Sequence, residues 1–191
     1  MYFSIAFANS YGGKYIAAYT IAINLWFLGA FIIDGYASAG NILSGKLYGQ
    51  KNNKDLLSLS QQLIKYGIYL GGLVAIIGAV FYYPIGRLFT KEPEVLKTFY
   101  SVFWMVLAMQ PLCALAFIFD GMFKGLGKMK DLRNLLLLST CVVFLPVLFI
   151  ADYYNLKLHG IFIAFTLWII ARGFPLIIKF RKQFLPLAQN N

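Results

Sequence analysis

A chain of 191 residues that is 60% hydrophobic and only 13% charged, with mean hydropathy +0.70, is too poor in charge for a soluble domain, where roughly a quarter of residues are charged. Its formal charge of +10 would suit nucleic acid if it formed one basic patch. The basic residues instead sit in short stretches between apolar runs, which argues against a nucleic-acid partner and for a multi-pass membrane protein surrounded by lipid.

Residues 1–8 are apolar but shorter than the roughly 20 residues a span needs, and no basic segment of a secretory signal precedes them. They read as the end of a helix, followed by a turn at Asn9-Ser10-Tyr11-Gly12-Gly13. Five full spans follow, at 15–45, 59–83, 96–123, 132–150 and 158–179, with 180–191 as a tail. All are helices on length grounds, because a bilayer offers open backbone no partner, and the fold class is an all-α polytopic transmembrane bundle. The first span would be roughly 46 Å long at 1.5 Å per residue, well beyond a hydrocarbon core of about 30 Å. Its segment Gly35-Tyr36-Ala37-Ser38-Ala39-Gly40 is where a bend or close helix contact is expected. Pro111, Pro146 and Pro175 fall inside three other spans, where each removes a backbone hydrogen bond and favours a kink.

Counted by alternate loops, eleven Lys and Arg residues, including Lys46, Lys51, Lys128, Arg133 and Arg181, lie on one side; five, Lys14, Arg87, Lys91, Lys97 and Lys157, lie on the other. The positive-inside rule then puts the C-terminal tail in the cytoplasm. Cys113 and Cys141 stand apart in apolar segments and read as packing residues, and the single His159 falls in a short connector, so no metal site is expected.

The hexapeptide Ala30-Phe31-Ile32-Ile33-Asp34-Gly35 returns almost unchanged as Ala116-Phe117-Ile118-Phe119-Asp120-Gly121, each time placing a carboxylate inside an apolar run. Charge at membrane depth costs roughly 2.5 to 3.5 kcal/mol on insertion scales, and such residues usually face a bundle interior or a water-filled cavity on an ion or substrate path. Asp34 lies near mid-span, whereas Asp120 lies four residues before Lys124 and so nearer the boundary. Both are candidates for ion coupling. The alternative is structural: each satisfies a neighbouring helix or pairs with Arg172, which is itself deep enough to need a partner or a long snorkel to the interface. Tyr19, Thr20, Asn24 and Gln110 are candidate cavity residues, set against ordinary interhelical hydrogen bonds of around 0.6 kcal/mol. Trp26, Trp104 and Trp168 offer faces to a lipophilic cation, or simply pack and anchor. No nucleotide-binding glycine loop, HExxH or GxSxG is present, so an enzyme is not expected.

Several ordered motifs, Ala17-Ala18-Tyr19-Thr20-Ile21-Ala22-Ile23-Asn24-Leu25-Trp26, Asp34-Gly35, Gly45-Lys46-Leu47-Tyr48-Gly49, Gln110-Pro111-Leu112 and the run from Phe117 to Gly127, resemble the MATE (multidrug and toxic compound extrusion) family, especially its DinF-like branch. The resemblance covers essentially the whole chain but only the second half of the family's twelve-helix fold, which implies the end of helix seven and helices eight to twelve, one six-helix lobe. It implies a secondary antiporter in the plasma (inner) membrane that exports lipophilic, often cationic, compounds in exchange for H+ or Na+, with the missing N-terminal lobe as partner and no cofactor beyond the coupling ion. Asp34 and Asp120 map onto acidic positions of that lobe, and Asn24 and Gln110 onto polar positions near its cavity. The branch favours a His and a Gln where Tyr19 and Asn24 stand, a departure that bears on substrate range. Two other readings are a lipid-linked precursor flippase, which would need several basic cavity residues where this chain has Arg172, and a non-transporting remnant.

Overall fold

The computed structural model describes residues 2–189, so Met1 of the opening helix end and residues 190–191 of the tail lie outside the described residues. The elements are α1 (Tyr2–Ser10), α2 (Gly13–Gly49), α3 (Asn53–Val80), α4 (Tyr82–Phe89), α5 (Pro93–Gly125), α6 (Met129–Leu138), a π-helical turn (Ser139–Phe144), α7 (Leu145–Tyr153) and α8 (Lys157–Gln189). Five stretches are long and apolar enough to cross a membrane: α2, α3, α5, the run Met129–Tyr153, and Lys157–Leu187 of α8. Local chemistry sets several ends. The Asn52 side chain accepts from the Asp55 N–H at 3.1 Å to start α3, and Pro93 opens α5 where its missing N–H is not needed.

Helix α5 is the centre of the bundle, with α2, α3 and α8 packed around it, and Phe99, Phe103, Phe119 and Phe123 fully buried along it. Contacts fix the directions. Lys14 meets Glu94 near the starts of α2 and α5, and Gly45 lies against Gly125 near their ends, so these two helices run parallel. His159 bonds the Ser101 carbonyl and Lys128 bonds Gln183, so α8 runs the same way. Helix α3 runs against them: its Gly78 meets Leu107 and its later-packed neighbour Gly67 meets Ile118.

The α2–α5 contact is a seam of small residues. A Cβ on Gly121 would collide with the Ala37 carbonyl, and one on Gly125 with the Asn41 carbonyl, so backbone approaches backbone only because Gly121 and Gly125 have no side chain. The expected close contact at 35–40 is therefore real at Ala37 and Gly40, whereas Gly35 faces open space.

Several expectations need correction. Helix α2 has 37 residues, roughly 55 Å, and α3 stops at Val80 instead of reaching Tyr83. The chain turns there into α4 because Tyr82 donates to the Tyr100 carbonyl at 2.5 Å and Tyr100 donates back to the Tyr83 carbonyl at 2.7 Å, tying α4 to α5. The 132–150 span lies within the continuous helical run Met129–Tyr153 but widens into a π turn just before Pro146, whose missing N–H leaves one preceding carbonyl without its regular partner. Residues 180–189, expected as a tail, continue α8 through Pro186, because Phe180 and Phe184 are fully buried, the first against Phe119 and the second against Tyr48. His159 is in the first turn of α8 and not in a connector, and Cys141 is exposed whereas Cys113 is buried.

Candidate functional site

The candidate residues divide into three places. Inside the bundle, Arg172 of α8 donates through Nη2 to Asp120 Oδ2 of α5. Asp120 is 3% exposed, and its Oδ1 has no partner among the described residues. The Phe117 and Trp168 rings flank the guanidinium at 5.9 and 5.4 Å, adding cation–π attraction, and Trp168 Nε1 donates to Thr140 Oγ1 of the π turn at 3.1 Å. A buried carboxylate is thus held by one guanidinium that is itself held by two rings.

On the outside of α2, Asp34 and Asn24 are exposed. Thr20, Asn24, Phe27, Phe31, Asp34 and Ser38 recur about every 3.6 residues and so form one straight stripe. The stripe's polar groups are partly occupied by their own helix: Thr20 Oγ1 donates to the Ile16 carbonyl, Asn24 Nδ2 to the Thr20 carbonyl, both at 2.8 Å, and Ser38 Oγ to the Asp34 carbonyl at 2.9 Å. The Asp34 carboxylate forms no ion pair among the described residues. The structure therefore brings Asp120 and Arg172 together and puts Asn24 and Asp34 on one face; among the described residues no hydrogen bond or ion pair joins the two groups, although Asp34 lies within electrostatic range of Asp120.

Tyr19 and Gln110 lie elsewhere. Tyr19 is buried, with its hydroxyl 2.8 Å from Ser4 Oγ and its ring against Phe162, which makes it a link between α1, α2 and α8. Gln110 is buried beside Gly29. Next to the stripe, an aromatic cavity of about 300 Å³ is lined by Phe3, Trp26, Phe27, Phe144, Phe165 and Trp168, with Thr140 as its hydroxyl. Trp26 and Trp168 were legible as ring donors; Phe144, Phe165 and Thr140 were not, since the π turn that aims two of them leaves no simple spacing. Trp104 is exposed on the far surface, with its N–H on the Ser101 carbonyl.

Where the chain enters α2, Tyr11 donates to Asp152 Oδ1 at 2.6 Å and pins the α1–α2 turn to the end of α7. Burial and the facing Asp152 carboxylate both disfavour the phenolate, so the Tyr11 hydroxyl keeps its proton well above the ordinary phenol range. An open cavity of about 810 Å³ lies at this same end among Lys14, Glu94, Lys97, Lys157 and His159. None of the sequence-derived site residues lines it. Among the described residues no cluster of His, Cys, Asp or Glu has the makings of a metal site.

The MatE family profile matches residues 1–150. Protein DETOXIFICATION 42 of Arabidopsis thaliana is 27% identical over 171 residues, 89% of this chain and 33% of the relative. The probable multidrug resistance protein YoeA of Bacillus subtilis is 27% identical over 90% of this chain and 38% of its own length. DNA damage-inducible protein F of Escherichia coli is 24% identical over 91% and 37%. Among solved structures, an outward-facing multidrug resistance MATE transporter superposes with a TM-score of 0.88 at 22% identity, covering 99% of this chain and 43% of that one. An inward-facing multidrug resistance MATE family transporter gives 0.86 at 22% identity, over 98% of this chain and 44% of that one. The chain thus spans between a third and a half of the length of the proteins it matches, and over that length it has their fold.

Proposed function

The chain belongs to the MatE family, and we propose that it acts as the C-terminal lobe of a secondary transporter that exports lipophilic, often cationic, compounds in exchange for H+ or Na+. The partner is a second, N-terminal lobe, and the unit sits in a plasma-type membrane with the Lys51, Lys128 and α8 ends in the cytoplasm, as the positive-inside bias requires. The observation that carries this reading is the exposed carboxylate of Asp34 in the middle of an apolar span. Left against lipid it would cost roughly 2.5 to 3.5 kcal/mol, a penalty that disappears if the face of α2 bearing Thr20, Asn24 and Asp34 lines a water-filled path between two lobes. Phe27 and Phe31 on the same stripe give a lipophilic cation ring faces beside the carboxylate.

In this scheme Asp34 takes the coupling ion or the substrate cation, because it is the accessible acid, and Asp120 with Arg172 holds the lobe together. Cells producing this chain together with an N-terminal lobe are expected to extrude a fluorescent lipophilic cation, and extrusion stops when the ion gradient is dissipated. Asp34→Asn is expected to lower the rate at least tenfold with unchanged protein in the membrane. Efflux that proceeds normally in Asp34→Asn removes this residue from the coupling path.

A further inference from the structure

The open cavity of about 810 Å³ lies where α2, α5 and α8 begin, with Asn155 and Leu156 closing one side. Lys14, Lys97 and Lys157 line it against one carboxylate, Glu94, so three positive charges meet one negative and the lining is formally +2 with His159 neutral. Two of the lysines converge on one ring. Lys14 Nζ stands 5.6 Å and Lys157 Nζ 5.0 Å from the Tyr15 ring centroid, and Lys157 also donates to the Tyr15 hydroxyl at 3.0 Å. Lys14 has Glu94 as counter-ion at 3.2 Å, whereas Lys97 and Lys157 form no ion pair among the described residues. A cleft that gathers charge of one sign in this way concentrates its field on an anion.

The surroundings restrict which anion. No arginine lines the space, so nothing there matches the plane of a carboxylate, and lysine meets a phosphate as a point charge. Tyr153 and Tyr154, both exposed, stand where the apolar run Met129–Tyr153 ends, which puts the cavity at the depth of lipid headgroups. His159 of α8 bonds the Ser101 carbonyl of α5 at 3.1 Å inside the cavity, and about one turn further into the span each helix shows an exposed apolar side chain, Trp104 and Ile163. A polar site thus continues directly into an apolar flank, the profile of a phospholipid and not of a free phosphate ion. A zwitterionic headgroup would bring another cation into a space that already holds three, so the lipid is an acidic one.

We propose that this cavity binds the phosphate of an acidic glycerophospholipid through Lys97 and Lys157, with Lys14 kept on Glu94 and the acyl chains laid along Trp104 and Ile163. It is distinct from the α2 stripe and from the aromatic cavity. Binding is read with no ion gradient, so the result stands apart from whether the chain transports anything.

The test titrates the purified chain in detergent with dioctanoyl phosphatidylglycerol, dioctanoyl phosphatidylcholine or inorganic phosphate and reads the bound fraction by native mass spectrometry. Phosphatidylglycerol is expected to bind at least about tenfold more tightly than phosphatidylcholine, since a cation beside an anionic headgroup is worth about fivefold. Lys97→Gln combined with Lys157→Gln removes that preference, whereas Lys51→Gln combined with Lys54→Gln, which takes the same charge from the opposite end, keeps it. All four lysines are exposed, so neither variant disturbs a packed side chain. Equal affinity for the two lipids in the unmodified chain, a preference that survives the loss of Lys97 and Lys157, or an equal loss in the opposite-end variant each overturns the proposal. Inorganic phosphate that displaces the lipid at equal concentration overturns it as well, because the ligand would then be the free ion.

Discussion

Asp34 and Asp120 sit in nearly the same hexapeptide, yet one is exposed and the other 3% exposed. The difference comes from what surrounds each helix. At Asp120, α5 is enclosed, and every residue from Ile118 to Phe123 is buried; at Asp34, α2 is covered on one side alone, so Ile33 and Ala37 are inside while Asp34, about 100° round from Ile33, is outside. The sequence therefore made both carboxylates legible as acids inside long apolar helices, but not their facing, which depends on the number of neighbouring helices. Arg172 was legible as a residue needing a partner, and that partner is Asp120. Removing one member of such a pair leaves a buried charge uncompensated. Arg172→Leu is accordingly expected to destabilise the fold by about 3 to 5 kcal/mol, while Asp120→Leu combined with Arg172→Leu restores much of the loss. Unfolding titrations of the three variants in detergent check the order; a double variant as unstable as Arg172→Leu would mean that the pair is not the cause.

Among the elements, the long apolar runs announced five spans, and the structure has five helical stretches of that character. Their ends were less legible, since they depend on tertiary partners: the Tyr82–Tyr100 exchange that turns α3 into α4, and the burial of Phe180 and Phe184 that carries α8 beyond Lys179. The π turn could not be read at all, because Pro146 signals a disturbed helix without saying whether it kinks or widens. The glycine seam offers a test at this scale. Gly125→Val places a branched side chain against the Asn41 carbonyl and Ser44, and the α2–α5 contact must open. We expect a loss of about 1 to 3 kcal/mol, seen as a lower melting temperature in detergent, whereas Gly35→Ala, where a Cβ meets nothing within 4 Å, is expected to leave it unchanged.

For the whole molecule, the distinction that matters is between faces turned to lipid and faces turned to water. Phe31 on the α2 stripe and Ile76 on α3 are 71% and 62% exposed, alike by area and unlike in company, since Asn24 and Asp34 share the face of Phe31. In membranes that hold both lobes, a cysteine at Phe31 is expected to react with a membrane-impermeant maleimide and one at Ile76 is not. Equal labelling at the two positions would put the α2 face against lipid and undo the two-lobe reading.

The parallel course of α2, α5 and α8 also has an electrical consequence. Three helices finish at the same end of the bundle, so their partial negative termini there outnumber the positive starts of α3 and α6. Lys46 and Lys124 stand in the last turns of α2 and α5, with Lys128 just beyond. Under the proposed topology, the cations that set the orientation also neutralise the macrodipoles of α2 and α5, at typically 0.3 to 1 kcal/mol each. Moving them to the opposite end to invert the topology would therefore leave three carbonyl termini uncompensated and crowd positive charge onto three amide termini.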